Sequence, residues 1–276
     1  RMLIGAHVSA AGGANKAIVR AEEIGAECFQ IFASSPRMWS AKPVADAVVD
    51  KYAAEMKRAM MGPTVLHGKY LVALGSADPE LLAKSEIALG ADIAAANKLS
   101  ALGVIFHPAS HRGQGFEAII DQFAASVRKV LDNEPGDSLL MLETSAGAGD
   151  HIGSSFAELG TLIKAIGNDR VAVCLDTQHV FAAGYNIAVA DTLNAAIDEF
   201  DKEIGIGLLK AVHANDSMRE LGSSVDRHEN IGDGLIGTAG FTTLMSHQAF
   251  KHVPFYLEVP GTGKSGPDKP RSEERR

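Results

Sequence analysis

The sequence predicts an α/β protein folded as a (β/α)8 TIM barrel, and three observations carry that expectation. The chain has 276 residues, long for one ordinary domain but suited to a barrel of ~250 residues. Apolar runs recur at 2–8, 27–32, 64–67, 104–107, 139–144, 171–176, 210–215 and 254–259. Runs so short and so nearly apolar are expected of parallel strands buried on both faces. Between them the apolar period lengthens to that of a helix, and strands alternating with helices close most simply into a parallel barrel. An open doubly wound sheet is the alternative arrangement of the same units. No Pro/Ser-rich linker interrupts the chain, so residues 1–276 are expected to be a single catalytic domain.

The elements follow in order. Ala14, Ala17, Ile18, Ala21 and Ile24 are spaced along one helical face, and Gly25 is placed to stop that helix. Further helices are expected near 44–60, 78–101, 116–132, 155–166, 189–204 and 239–249. Asp78-Pro79 offers an N-cap followed by a proline at the first helical position. After the last strand come Gly261, Gly263, Gly266, Pro267 and Pro270, so the eighth helix is expected to be short or missing and 261–276 irregular. Gly261-Thr262-Gly263-Lys264-Ser265 looks like a phosphate-binding loop, but Glu258 stands where that motif requires a glycine.

Composition excludes other classes. Hydrophobic residues at 46% and charged residues at 22% rule out a disordered, collagenous or coiled-coil chain. No apolar run approaches the ~20 residues of a membrane span, and the first residues lack a signal-peptide profile. Cys28 and Cys174 fit neither a metal spacing nor a disulfide scaffold, so a reducing cytoplasm is expected; a monomer is the default expectation. The net charge of −8 argues at first against a nucleic-acid partner.

The polar residues at the strand ends carry the chemistry. His7, His67, His107, Glu143, Asp176, His213 and Glu258 end seven of the eight runs, on the face where barrels build their sites. Buried imidazoles and carboxylates are costly unless paired or bound to metal, and no lysine or arginine stands beside them on the strands. Two further pieces fit. His179 lies three residues past Asp176 and is expected on a loop over the same face. Asp226 and His228 have i, i+2 spacing, so in extended chain both point the same way. A single histidine at a strand end is ordinarily a hydrogen-bonded core residue; the joint arrangement turns the set into a metal cluster. It comprises His67, His107, Glu143, Asp176, His179, His213, Asp226, His228 and Glu258. Mixed nitrogen and oxygen ligands suit zinc, and Mn2+ or Fe2+ would also fit. Nine ligands exceed one ion's need and can serve two or three ions with a bridging carboxylate. His7 is read as a neighbour of the ligands, Cys174 and Met141 as barrel core, and His111, His151, His247 and His252 as lying outside the cluster.

The stretches 4–13, 106–111, 142–147, 174–179, 181–185, 213–216, 224–228, 232–234 and 257–258 also resemble, in order, the endonuclease IV family of zinc-dependent abasic-site endonucleases. The resemblance covers residues 3 to 261. It implies three Zn2+ ions: one on His67, His107 and Glu143, a second on Glu143, Asp176, His213 and Glu258, and a third on His179, Asp226 and His228. Glu143 would bridge the first pair, and the attacking group would be water activated by metal rather than a side chain. The implied partner is double-stranded DNA with an abasic site, with no nucleotide cofactor. The implied reaction is hydrolysis of the phosphodiester 5′ to that site, leaving a 3′-hydroxyl and a 5′-deoxyribose phosphate. Removal of 3′-blocking groups is implied as well. Arg37, Tyr70 and Leu71 match the family residues that enter the base stack. Val72-Ala73-Leu74 departs from the Ile-Asn that usually follows the Tyr-Leu pair. Three divalent ions would move the net charge from −8 to about −2, so the metals rather than a basic face would attract the phosphate. Two rivals are a single-metal sugar isomerase or epimerase of the same barrel type, and a non-catalytic abasic-site binder.

Overall fold

The computed structural model describes residues 1–268. Strands β1 (Ile4–His7), β2 (Phe29–Phe32), β3 (Thr64–His67), β4 (Gly103–Phe106), β5 (Leu139–Glu143), β6 (Val171–Asp176), β7 (Leu209–Ala214) and β10 (Phe255–Leu257) form one closed parallel barrel. Each pairs with its sequence neighbour, and β10 closes the ring on β1 through Ile4–Phe255, Gly5–Tyr256 and Ala6–Leu257. Two short strands, β8 (Asp216–Ser217) and β9 (His228–Glu229), make an antiparallel pair above the barrel. The closed barrel replaces the open-sheet alternative. Among the described residues no helix is long and apolar enough to cross a membrane.

Helices α1 (Ala14–Glu23), α2 (Asp46–Ala59), α3 (Pro79–Lys98), α4 (Phe116–Asn133), α5 (Phe156–Ile166), α7 (Ala190–Glu203) and α8 (Gly237–Ser246) fall where the periodicity places them. Helix α1 buries Ala14, Ala17, Ile18 and Ala21, and Gly25 follows it with φ 72°, the left-handed conformation that ends helices. Helix α3 starts as its sequence requires. The Asp78 carboxylate accepts from the Glu80 and Leu81 backbone N–H groups, and Pro79 takes the first position.

The barrel interior is filled by Cys28, Val65, Ile105, Met141, Ala172, Cys174, Ala211 and Tyr256. Gly5 faces the same region on β1, where a Cβ would stand 1.8 Å from the Cys28 carbonyl oxygen; only glycine permits so close a strand. Cys174 and Met141 are wholly buried, as expected of core.

Three expectations change. The segment after β6 is a short helix, α6 (Thr177–Ala182), so His179 rides on a helix and not on a loop. The signal lies in the sequence: Asp176 caps the turn by accepting from the His179 backbone N–H at 2.9 Å. The paired strands β8 and β9 have two residues each, too short for any periodicity to announce. His107 and Glu258 lie one residue beyond β4 and β10. Residues 262–266 form a turn and bends, and 261–268 hold no helix or strand. The rest of the expected irregular tail lies outside the described residues.

Candidate metal centre

The site grows directly out of the barrel interior. Side chains alternate along a strand, so a residue two positions after an inward-facing one also faces inward, one layer higher. Val65, Ile105, Met141, Cys174, Ala211 and Tyr256 are followed two residues later by His67, His107, Glu143, Asp176, His213 and Glu258. Cys28 is followed in the same way by Gln30, which is wholly buried. Gln30 escaped the sequence reading because only ionisable strand ends were sought; the signal was a lone amide inside an apolar run.

Two groups offer ligand atoms lying within 4.8 Å of one another: His67, His107 and Glu143, and Glu143, Asp176, His213 and Glu258. Glu143 belongs to both. Its Oε2 stands 3.1 Å from His107 Nε2 and 3.5 Å from His67 Nε2. Its Oε1 stands 3.0 Å from His213 Nδ1. A third group by the same limit is Asp176, His179 and His228. Asp226 also meets both of its imidazoles, with carboxylate oxygens 3.3 Å from His179 Nε2 and 3.2 Å from His228 Nε2. His179 Nδ1 donates to the Thr144 carbonyl at 2.7 Å, so Nε2, the nitrogen facing Asp226, is left to bind. Asp176 Oδ2 accepts from the Asn215 amide at 2.8 Å and stands 3.7 Å from His228 Nε2. Either carboxylate, Asp176 or Asp226, thus stands beside His179 and His228.

Backbone and amide partners orient the other rings in the same manner. His67 Nδ1 donates to the Gly68 carbonyl at 2.8 Å, turning Nε2 toward Glu143. His213 Nε2 donates to Gln30 Oε1 at 2.7 Å, turning Nδ1 toward Glu143 and Glu258. Such outer contacts set which nitrogen a histidine presents to a metal. Glu143 Oε2, His179 Nε2 and His228 Nε2 are buried and make no hydrogen bond. Buried polar atoms are ordinarily satisfied. Each of these three faces other candidate ligands, Glu143 Oε2 in one group and the two imidazole nitrogens in another, which fits bound cations.

The charges agree. Burial would push the Glu143 carboxyl up, but His213 and His107 outweigh it and hold it well below the carboxylate range. Glu258 is held at about 2, burial again being overcome by His213. Burial pulls the imidazoles down, yet facing carboxylates raise His179 to about 10 and His228 to about 9. The cluster demands positive charge, and divalent metal supplies it more compactly than protons.

His7 sits beside the cluster. Burial lowers it to about 4, and its Nδ1 lies 3.1 Å from Gln30 Nε2, which also donates to Glu258 Oε1 at 2.6 Å. Asp216 is fully buried and accepts from the backbone N–H groups of Gly232, Gly234, Ile236 and Gly237, which pins the loop that follows β9.

Arg37 and Tyr70 are exposed, and Leu71 is half-buried. The Tyr70 ring centre is 5.4 Å from that of His67 and 6.1 Å from that of His107, so it stands at the rim of the cluster. Val72, Ala73 and Leu74 are buried beneath it; the departure at these positions is apolar packing that anchors the loop. Two adjoining cavities of about 440 and 480 Å³ share Tyr70, His107, His179 and Asp226. His151, exposed, lines the first of them.

Comparison with known proteins agrees with this architecture. A family model described as xylose isomerase-like TIM barrel matches residues 18–276. The chain is 38% identical over 258 residues to the probable endonuclease 4 of Chloroflexus aggregans, covering 93% of this chain and 90% of that one. It is 39% identical over 269 residues to the probable endonuclease 4 of Halothermothrix orenii, covering 97% and 96%. The crystal structure of endonuclease IV from Thermus thermophilus superposes with a TM-score of 0.86 at 32% identity, over 99% of this chain and 100% of that one. A D-tagatose 3-epimerase-like protein, at 16% identity and a TM-score of 0.73, shares the fold alone. The chain belongs to the endonuclease IV family of xylose isomerase-like TIM barrels.

Proposed function

We propose that this chain is a DNA-repair endonuclease that hydrolyses the phosphodiester 5′ to an abasic site, leaving a 3′-hydroxyl and a 5′-deoxyribose phosphate, and that it also removes 3′-blocking groups. The observation that carries this reading is the sharing of Glu143 between two ligand groups, with a third group alongside. His67, His107 and Glu143 would hold one zinc, Glu143, Asp176, His213 and Glu258 a second, and His179, Asp226 and His228 a third. When bound, zinc supplies Lewis-acid charge to phosphate oxygens and lowers the pKa of water to about 7.

The chain's own residues do the rest. Glu143 sets the spacing of the first two groups through its two oxygens. Gln30, Thr144 and the Gly68 carbonyl fix which nitrogen each histidine presents. Arg37, Tyr70 and Leu71 enter the base stack where a base is missing, a step made cheap by the lesion. The cavities beside Tyr70 receive the displaced sugar. A one-metal sugar isomerase would use Glu143, Asp176, His213 and Glu258, but would leave His67, His107, His179, Asp226 and His228 without a task.

The test is a labelled duplex carrying one tetrahydrofuran abasic analogue, which resists β-elimination. The expected result is a nick 5′ to the analogue with an extendable 3′-hydroxyl, lost on chelation and restored by zinc. A folded, zinc-loaded protein that binds the duplex without nicking it would overturn the catalytic reading in favour of a binder.

A further inference from the structure

Lys69 is two residues beyond His67 and is only 3% exposed. Its Nζ contacts Ser34 Oγ and stands 3.7 Å from Asp92 Oδ1. Its backbone N–H donates to Asp92 Oδ2 at 3.3 Å. Asp92, on α3, is 1% exposed. A buried ion pair bears a desolvation cost that apolar residues of like size would avoid, so it is weak evidence of stabilisation. What it positions explains it better.

Three segments meet at this pair. Ser34 begins the loop that carries Arg37. Lys69 immediately precedes Tyr70 and Leu71. Asp92 sits on α3, a helix of 20 residues. The two loops are also tied to each other, because the Tyr70 backbone N–H donates to the Pro36 carbonyl at 3.2 Å. On the other side the chain is pressed against β4. The Gly68 N–H donates to the Ile105 carbonyl at 2.7 Å, and a Cβ on Gly68 would stand 2.9 Å from Phe106 Cβ. The backbone therefore leaves β3 along one narrow path, with Lys69 turned under the loops and Tyr70 turned up to the rim.

We propose that the Lys69–Asp92 pair, with Ser34, is a positioning device that locks the Arg37 loop and the Tyr70–Leu71 loop together in the arrangement that enters DNA at a missing base. This deepens the function proposed above and rests on it. Loops ordered in advance spend less of their contact energy on ordering when DNA binds. The pair touches none of the reacting groups, so its effect falls on recognition of the lesion and not on the chemical step.

The experiment compares wild type, the Lys69→Met/Asp92→Asn double variant and Ser34→Ala, all zinc-loaded. The double variant removes both charges and leaves no unpaired buried ion; Ser34→Ala cuts the tie to the Arg37 loop with both charges in place. Four quantities are read: metal content, hydrolysis of bis(4-nitrophenyl) phosphate, kcat and KM on the tetrahydrofuran duplex, and fluorescence of a 2-aminopurine next to the lesion. The double variant is expected to keep its metal and to hydrolyse the small diester within about twofold of wild type, while KM for the duplex rises about tenfold and kcat stays within about threefold. The 2-aminopurine signal that reports side chains entering the stack should fall with it. Ser34→Ala should raise KM by about threefold, and it decides the matter if the double variant does not fold. Wild-type KM and fluorescence in a folded variant would overturn the proposal, as would equal losses on both substrates. A wild-type protein inert on the duplex would instead sink the endonuclease reading itself, and the proposal with it.

Discussion

The Nε2 of His213 donates to Oε1 of Gln30 across 2.7 Å, and the amide nitrogen of Gln30 donates in turn to Glu258. One amide thus orients two candidate ligands of the same ion. Replacing it by Gln30→Leu leaves both ligands in place but frees His213 to turn. The loss expected from removing such an outer partner is about tenfold to a hundredfold in metal affinity. Competition with a fluorescent zinc chelator would measure it, and an unchanged affinity would deny Gln30 its role.

Glu143 and Asp226 should differ in how many ions they cost. Glu143 belongs to two groups, whereas Asp226 faces only His179 and His228. Glu143→Gln is expected to lower zinc content by about two ions per chain and Asp226→Asn by about one. Elemental analysis of dialysed protein reads this directly. Both variants should lose at least about a thousandfold in nicking.

Asp216 carries no proposed metal, yet it should matter for stability. Its carboxylate accepts from four backbone N–H groups of residues 232–237 and is wholly buried. Asp216→Ala leaves those donors unsatisfied and should cost about 3 kcal/mol. Urea unfolding would give the loss, and hydrogen exchange should rise first in residues 230–237.

Burial raises the Asp92 carboxyl to about 6, against the opposing pull of Lys69. The folded state therefore binds this proton more tightly than the unfolded chain, whose carboxyl titrates near about 4. The resulting stability is fully present below about pH 4 and is lost as pH rises through about 6. A shift of about two units corresponds to about 3 kcal/mol. Asp92→Asn should remove that slope, so the stability difference between wild type and variant changes between about pH 4 and 6 and is flat above. Parallel curves across that window would contradict the shift.

The pattern of residues along the chain already determined the barrel and most of its mouth. Strand alternation is local, so Met141 before Glu143 and Cys174 before Asp176 announce an inward-facing pair whatever the rest of the chain does. The same logic placed His67, His107, His213 and Glu258 on one face, and the described structure brings all of them together. The spacing of Asp226 and His228 likewise put the two side chains on one side of the chain, and in the fold they stand 3.2 Å apart with Asp226 also facing His179.

Other features were decided only when the chain closed on itself. Gln30 gains its meaning from His213 and Glu258, which lie 183 and 228 residues away. The turn after Asp176 became a helix because Asp176 caps it and the underside of α6 packs into the barrel mouth, where every one of its residues is buried. Lys69 reads as a surface lysine beside a loop. Closure buries it between Ser34 and Asp92, and its charge faces those two groups. Periodicity is a property of neighbours along the chain and is legible there. Which buried polar group meets which depends on distances between strands remote in sequence, and only the folded barrel sets those.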